Sequence, residues 1–232
     1  MGLPKIDLPL FELEVPSTGK KIKYRPFTVK EEKILLIAQE SKDIDQIVLS
    51  IKQVINNCLQ GAIDVDKLAM FDLEFIILNI RAKSVNNIIE FKIKDPSTSE
   101  EVQLVLDISE LQIKKTPTHT NVISVNDNTS IVMRYPTLNE IKMLSKSVTK
   151  ESIFDVMIAC IDRIESGDEV YLISDYTRED LIEFVDSLNS TTIKYIEKFF
   201  DTIPVLKFEK KYTNRNGEEK TFVVEGMETF FI

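Results

Sequence analysis

Two stretches of this chain, 109 residues apart, carry the same pattern, and that repeat limits what the chain can fold into. Ile22-Lys23-Tyr24-Arg25-Pro26-Phe27-Thr28-Val29-Lys30-Glu31-Glu32-Lys33-Ile34-Leu35 returns as Ile131-Val132-Met133-Arg134-Tyr135-Pro136-Thr137-Leu138-Asn139-Glu140-Ile141-Lys142-Met143-Leu144. At that spacing Ile22, Arg25, Thr28, Glu31, Lys33 and Leu35 each meet an identical residue. Solenoid units run roughly 20–50 residues, so this longer period predicts a duplicated small domain. Phe91 and Phe208 each open a strand pair 117 residues apart, which places an insertion within the second copy.

Each copy reads as hairpin, helices, hairpin. Phe11–Val15 and Lys20–Arg25 alternate around Pro16-Ser17-Thr18-Gly19, and Val122–Val125 and Ser130–Arg134 alternate around Asn126-Asp127-Asn128. Thr28-Val29-Lys30-Glu31 and Thr137-Leu138-Asn139-Glu140 both fit the capping box that opens a helix. Apolar spacing predicts a helix from Ile44 to Gly61, with a counterpart from Ile153 to Gly167, and a largely buried helix from Leu68 to Ile80. Glu169–Ile173 reads as an added strand, and two helices follow from Thr177 and Thr192. Hairpins close each copy, at Ile88–Leu106 and Val205–Val224. The expected fold is α+β, with the strands of each copy pairing into one small antiparallel sheet under helices. Residues 1–113 form the first repeat, 114–120 a linker around Pro117, and 121–232 the second repeat.

Charge narrows the partners. Over 232 residues, 38 acidic side chains against 29 basic ones leave a net charge of −9, which opposes nonspecific nucleic-acid binding. Lys20-Lys21-Ile22-Lys23 reads as a solvated strand face. No apolar run reaches the roughly 18 residues that span a bilayer, and the opening residues contain no secretory apolar core. Cys58 and Cys160 fall in apolar helical patterns and read as reduced core thiols of a cytosolic protein. With a single His119, placed in the linker and read as solvated, no zinc arrangement is expected.

Catalytic signals are scarce. Nucleophile elbows, P-loops and glycine-rich phosphate cradles are absent from the sequence. The pairs Asp43/Asp45, Glu179/Asp180 and Glu218/Glu219 fall at helix starts and hairpin tips, where negative charge is favoured by the dipole or the solvent. An enzymatic alternative rests on Asp72 and Glu74, which sit in an apolar helix where burial perturbs a carboxylate. It predicts a small hydrolase or transferase with a pocket around them. Partner-binding candidates are Tyr24, Arg25, Pro26 and Phe27, whose composition suits an interface as well as it suits a strand-to-helix corner. Phe230 and Phe231 join them, in an apolar terminus that must pack on its own domain or on another chain.

Three blocks resemble one family. Leu8-Pro9, Pro16 to Lys21 and Tyr24 to Lys33 with Leu35-Leu36 are similar to the opening of T-even-type phage baseplate hub and hub-assembly proteins. Phe71 to Phe75 and Arg81 to Val85 resemble a second block, and Glu225 to Phe231 a closing one. The resemblance implies a non-enzymatic role in building the hub of a contractile tail, in the cytoplasm of an infected bacterium. It implies no cofactor, and partners among other hub or tail proteins, the tape-measure protein included. A virion-resident structural hub subunit is the alternative within that family. Some relatives carry Cys pairs at the last hairpin tip; Tyr212 to Gly217 has none, so no metal clip is carried over.

Overall fold

In the computed structural model, residues 6–146 and 149–225 are described. The chain is α+β and divides into two compact units, residues 1–114 with 205–232, and residues 115–204.

The first unit opens with hairpin β1 (Phe11–Glu14) and β2 (Lys21–Tyr24), paired antiparallel from Phe11↔Tyr24 to Glu14↔Lys21. Its turn needs Gly19, whose φ of 68° lies in the left-handed region. Helices α1 (Val29–Ser41), α2 (Ile44–Leu59) and α3 (Met70–Ser84) follow. Asp43 caps α2 by accepting the Asp45 and Gln46 amides, and Gln60 and Gly61 end it with φ of 54° and 79°. Val54, Ile55, Cys58, Ile76 and Ile80 have no exposed surface, so the core sits between α2 and α3. Each such aliphatic side chain contributes about 1.5–3 kcal/mol by leaving water.

Three strand groups surround this core. Strands β3 (Ile88–Lys94) and β4 (Glu101–Asp107) form a two-stranded sheet. Strand β5 (Gln112–Lys114) pairs with β10 (Val205–Thr213), which pairs with β11 (Glu219–Glu225). The expectation of one sheet per copy therefore gives way to several small ones. The β3–β4 and β10–β11 hairpins meet through side chains instead of sharing a ladder. The Phe91 and Phe222 rings meet at a tilt of 42° with centroids 5.5 Å apart, and the Tyr212 hydroxyl donates to Asp95 at 2.8 Å.

The second unit holds one four-stranded antiparallel sheet in the order β6-β7-β8-β9, from Val122–Ser124, Thr129–Met133, Ile161–Ser166 and Glu169–Leu172. Helices α4 (Leu138–Lys146), α5 (Lys150–Ala159), α6 (Arg178–Asp186) and α7 (Ser190–Asp201) accompany it. Ile131, Met133, Cys160, Ile161, Ile196 and Phe199 are the centre of its core. The helix expected to reach Gly167 stops at Ala159, and Ile161 onward is strand. A bulge opposite Val132/Met133 makes Asp162 an extra residue, so Ile161 and Ile164 both turn inward three positions apart. That spacing imitates a helical face.

His119 is no solvated linker residue. Its ring stacks on Tyr135 and Phe199 at 5.6 and 5.3 Å. Nδ1 lies 2.9 Å from Thr202 Oγ1 and Nε2 lies 3.0 Å from the Tyr135 hydroxyl. Thr202 donates its proton to the Lys198 carbonyl at 2.7 Å, so Nδ1 must donate to Thr202 and Nε2 must accept from Tyr135. Burial, aided by Lys115, lowers the pKa of this neutral ring.

Candidate interaction surfaces

The repeated stretch folds into the same corner in each unit. The Arg25 amide donates to the Cys58 carbonyl at 3.0 Å and the Arg134 amide to the Cys160 carbonyl at 2.8 Å, joining the first hairpin to a helix end. Each guanidinium then donates to the carbonyl of the next residue, Pro26 at 2.9 Å and Tyr135 at 3.3 Å. It also pairs at 2.9 Å with a glutamate, Glu31 or Glu140. The same glutamate accepts the threonine amide at 2.8 Å, from Thr28 or Thr137, which is the glutamate half of the expected capping box. In both corners the threonine hydroxyl also donates to that carboxylate.

Electrostatics follow from this geometry. Burial pushes the Glu31 carboxyl up, but Arg25 and the two Thr28 donors override it and hold the pKa at about 2. Glu140 is lowered too, as Arg134 and Thr137 outweigh its burial. Burial raises the Cys58 thiol to about 11 and the Cys160 thiol to about 12, the nearby guanidinium only partly opposing it. Both cysteines are free and buried, and neither is a thiolate at neutral pH. These groups hold backbone in place. None is arranged as a nucleophile and base.

Asp72, a candidate of the enzymatic alternative, is fully buried and holds the first hairpin turn. It accepts the Ser17 amide at 2.9 Å and the Ser17 hydroxyl at 2.5 Å. Arg81 instead donates to the Asn86 carbonyl at 3.3 Å. Glu74 is buried on the same helix. Among the described residues no group of three or more His, Cys, Asp or Glu side chains could hold a metal ion, and no helix is long and apolar enough to cross a membrane.

The partner-binding candidates are placed unequally. Tyr24 and Pro26 are buried, and the Arg25 side chain is 18% exposed and engaged with Glu31. Phe27 borders a groove of about 320 Å³ among α1, α2 and α3, with Leu35, Leu36, Ile47, Ile77 and Val85. Beside it α1 exposes Val29 and Ile37 at 65% and 66%. Phe230 and Phe231 lie outside the described residues.

The second unit carries two more grooves. One of about 330 Å³ runs between β6 and α7, past Val122, Tyr195 and Phe199. The larger, about 720 Å³, opens between the β7–β9 sheet and α6. Thr129, Ile164 and Tyr171 line its sheet side, and Asp180, Leu181 and Phe184 its helix side. Asp175 and Tyr176 close one end from the connection between them. Sequence reasoning passed over this groove because its residues come from three strands, a helix and the connection before that helix. Asp72 and Glu74 line none of the three.

Ion pairs that fix corners, with apolar and aromatic grooves left open on helices, characterise this mixed α+β chain. The chain belongs to the T4 bacteriophage base plate protein family, whose pattern it matches over residues 8–232. It thus has a structural or assembly role in a phage tail baseplate. Neither the curated proteins nor the solved structures compared with it gave a match.

Proposed function

We propose that this chain is a non-enzymatic factor in assembly of the baseplate hub, acting by binding other hub or tail proteins, the tape-measure protein among them. It is made in the host cytoplasm and works on two related folding units within one polypeptide. The observation that carries this reading is the family match over nearly the whole chain. Support comes from the two corners, where the same Arg, Thr, Glu and Cys contacts recur and hold backbone in place. The exposed apolar face of α1, with Val29, Leu36 and Ile37, offers partner contact beside Phe27.

Tagged protein recovered from infected cells should bring hub or tail proteins with it. Ile37→Asp should reduce that recovery without changing the circular dichroism, because the side chain is exposed. Recovery with no tail protein at all defeats the reading. Mass spectrometry of purified particles separates an assembly factor, absent from them, from a resident hub subunit.

A further inference from the structure

The groove between the β7–β9 sheet and α6 combines features that the corners and the α1 face lack. Its floor is apolar, from Ile164, Leu181 and Phe184. Two tyrosine rings line it, Tyr171 from the sheet and Tyr176 from the connection, with centroids 6.3 Å apart and planes at 50°. Tyr176 is 44% exposed. Two carboxylates, Asp175 and Asp180, share the lining, and no lysine or arginine does. Both cap bonds that Asp180 accepts from Thr177 fall on Oδ2.

The surroundings strengthen the same sign. Between Asp162 and Asp186 the sequence has nine acidic residues and two basic ones. Both basic residues are already neutralised. Arg163 is held by Asp162 and Glu165 at 2.8 Å each, and Arg178 by Asp155. Within that stretch neither cation is left over to balance Asp175 and Asp180.

We infer that this groove binds a lysine- or arginine-bearing segment of a partner protein. A long cationic side chain lays its methylenes on apolar surface and keeps its charged head among polar groups, which suits an apolar floor with acidic and aromatic ends. A cation over a tyrosine face is attracted by the ring quadrupole, and a guanidinium can also pair with a carboxylate in one plane. Tyrosine walls suit such anchors, since Tyr and Arg are enriched where interfaces carry most energy. Phosphate-bearing ligands are repelled here, and a purely apolar ligand would desolvate two carboxylates without repayment. The volume, about 720 Å³, falls in the range of roughly 300–1,000 Å³ typical of binding clefts. That the cation belongs to a protein rests on the baseplate reading above.

The test uses the full chain and a short fluorescent peptide alternating arginine and leucine, read by anisotropy at low ionic strength. A peptide with glutamate in place of arginine is the control. The basic peptide should bind and the acidic one should not. Asp175→Lys and Tyr176→Ala should each weaken binding about tenfold. Both side chains are exposed, so circular dichroism should stay unchanged. Glu110→Lys makes the same charge reversal at an exposed position of the first unit, and should change binding by less than roughly twofold. Failure of the basic peptide to bind, or an equal loss with Glu110→Lys, overturns the groove as a specific site. In infected cells, a doubly substituted Asp175→Lys, Tyr176→Ala chain that still recovers all its tail partners also overturns it, yet leaves the baseplate reading standing.

Discussion

At the scale of single residues, the informative unit is a glutamate that serves an arginine and a threonine at once. Glu31 has an ordinary pKa of 4.5 and a folded value of about 2. A carboxylate lowered by folding stabilises the protein fully above its unfolded pKa and loses that contribution as pH falls through the folded one. The window is therefore pH 4.5 down to about 2. Glu31→Gln keeps a carbonyl for the Thr28 amide but leaves the Arg25 guanidinium without its counter-charge. The expected cost at pH 7 is about 2 kcal/mol in urea unfolding. The gap between the two proteins should narrow as both are titrated through that window. A gap that stays constant down to pH 2 would show that the ion pair does not supply it.

At the scale of elements, helix ends show what local sequence decides. Gln60 closes α2 in the left-handed region, φ 54° and ψ 33°, with its amide donating to the Asn56 carbonyl. A side chain there is strained, while Gly61 next to it occupies φ 79° with nothing within 4 Å of a would-be Cβ. Gln60→Gly should thus stabilise by about 0.5–1 kcal/mol, and Gly61→Ala should destabilise by about 1 kcal/mol through conformation alone. Thermal melts of the pair should move in opposite directions; movement in the same direction would show that contacts, not backbone, set the sign. Such ends were legible because each is a local choice: Thr with Glu three residues on, or Gly after an apolar run. The Tyr24–Phe27 corner was legible as a corner for the same reason, whereas its burial was not. Strand β8 was misread because a bulge placed Ile161 and Ile164 on one face. His119 was misread because its partners, Tyr135, Phe199 and Thr202, come from elements that only the fold brings together. The pairing of β5 with β10 left no local trace, since three residues carry no readable alternation.

At the scale of the whole molecule, that β5–β10 pairing decides how the chain is threaded. Lys114 leaves the first unit directly opposite Val205, where the chain returns, and Ile113 pairs with Leu206. The strands are antiparallel, so residues 115–204 occupy the place of a hairpin loop in the first unit. Segments whose ends lie side by side are those a domain accepts and releases with least disturbance. A chain lacking 115–204, with Lys114 joined to Val205 through Asn-Gly, asks only for a two-residue hairpin turn of a kind the strand twist favours. It should fold cooperatively and keep β10–β11 against β3–β4, with the Tyr212–Asp95 hydrogen bond intact. Tyr212→Phe, which removes the donor to Asp95, should then lower the melting temperature of the shortened chain and of the full chain alike. A tandem arrangement, residues 1–113 followed by 121–232, predicts otherwise, because the shortened chain then lacks most of one repeat and strands its last hairpin. Loss of cooperative unfolding in the joined chain would favour the tandem arrangement, and a melt with the Tyr212→Phe response would favour insertion.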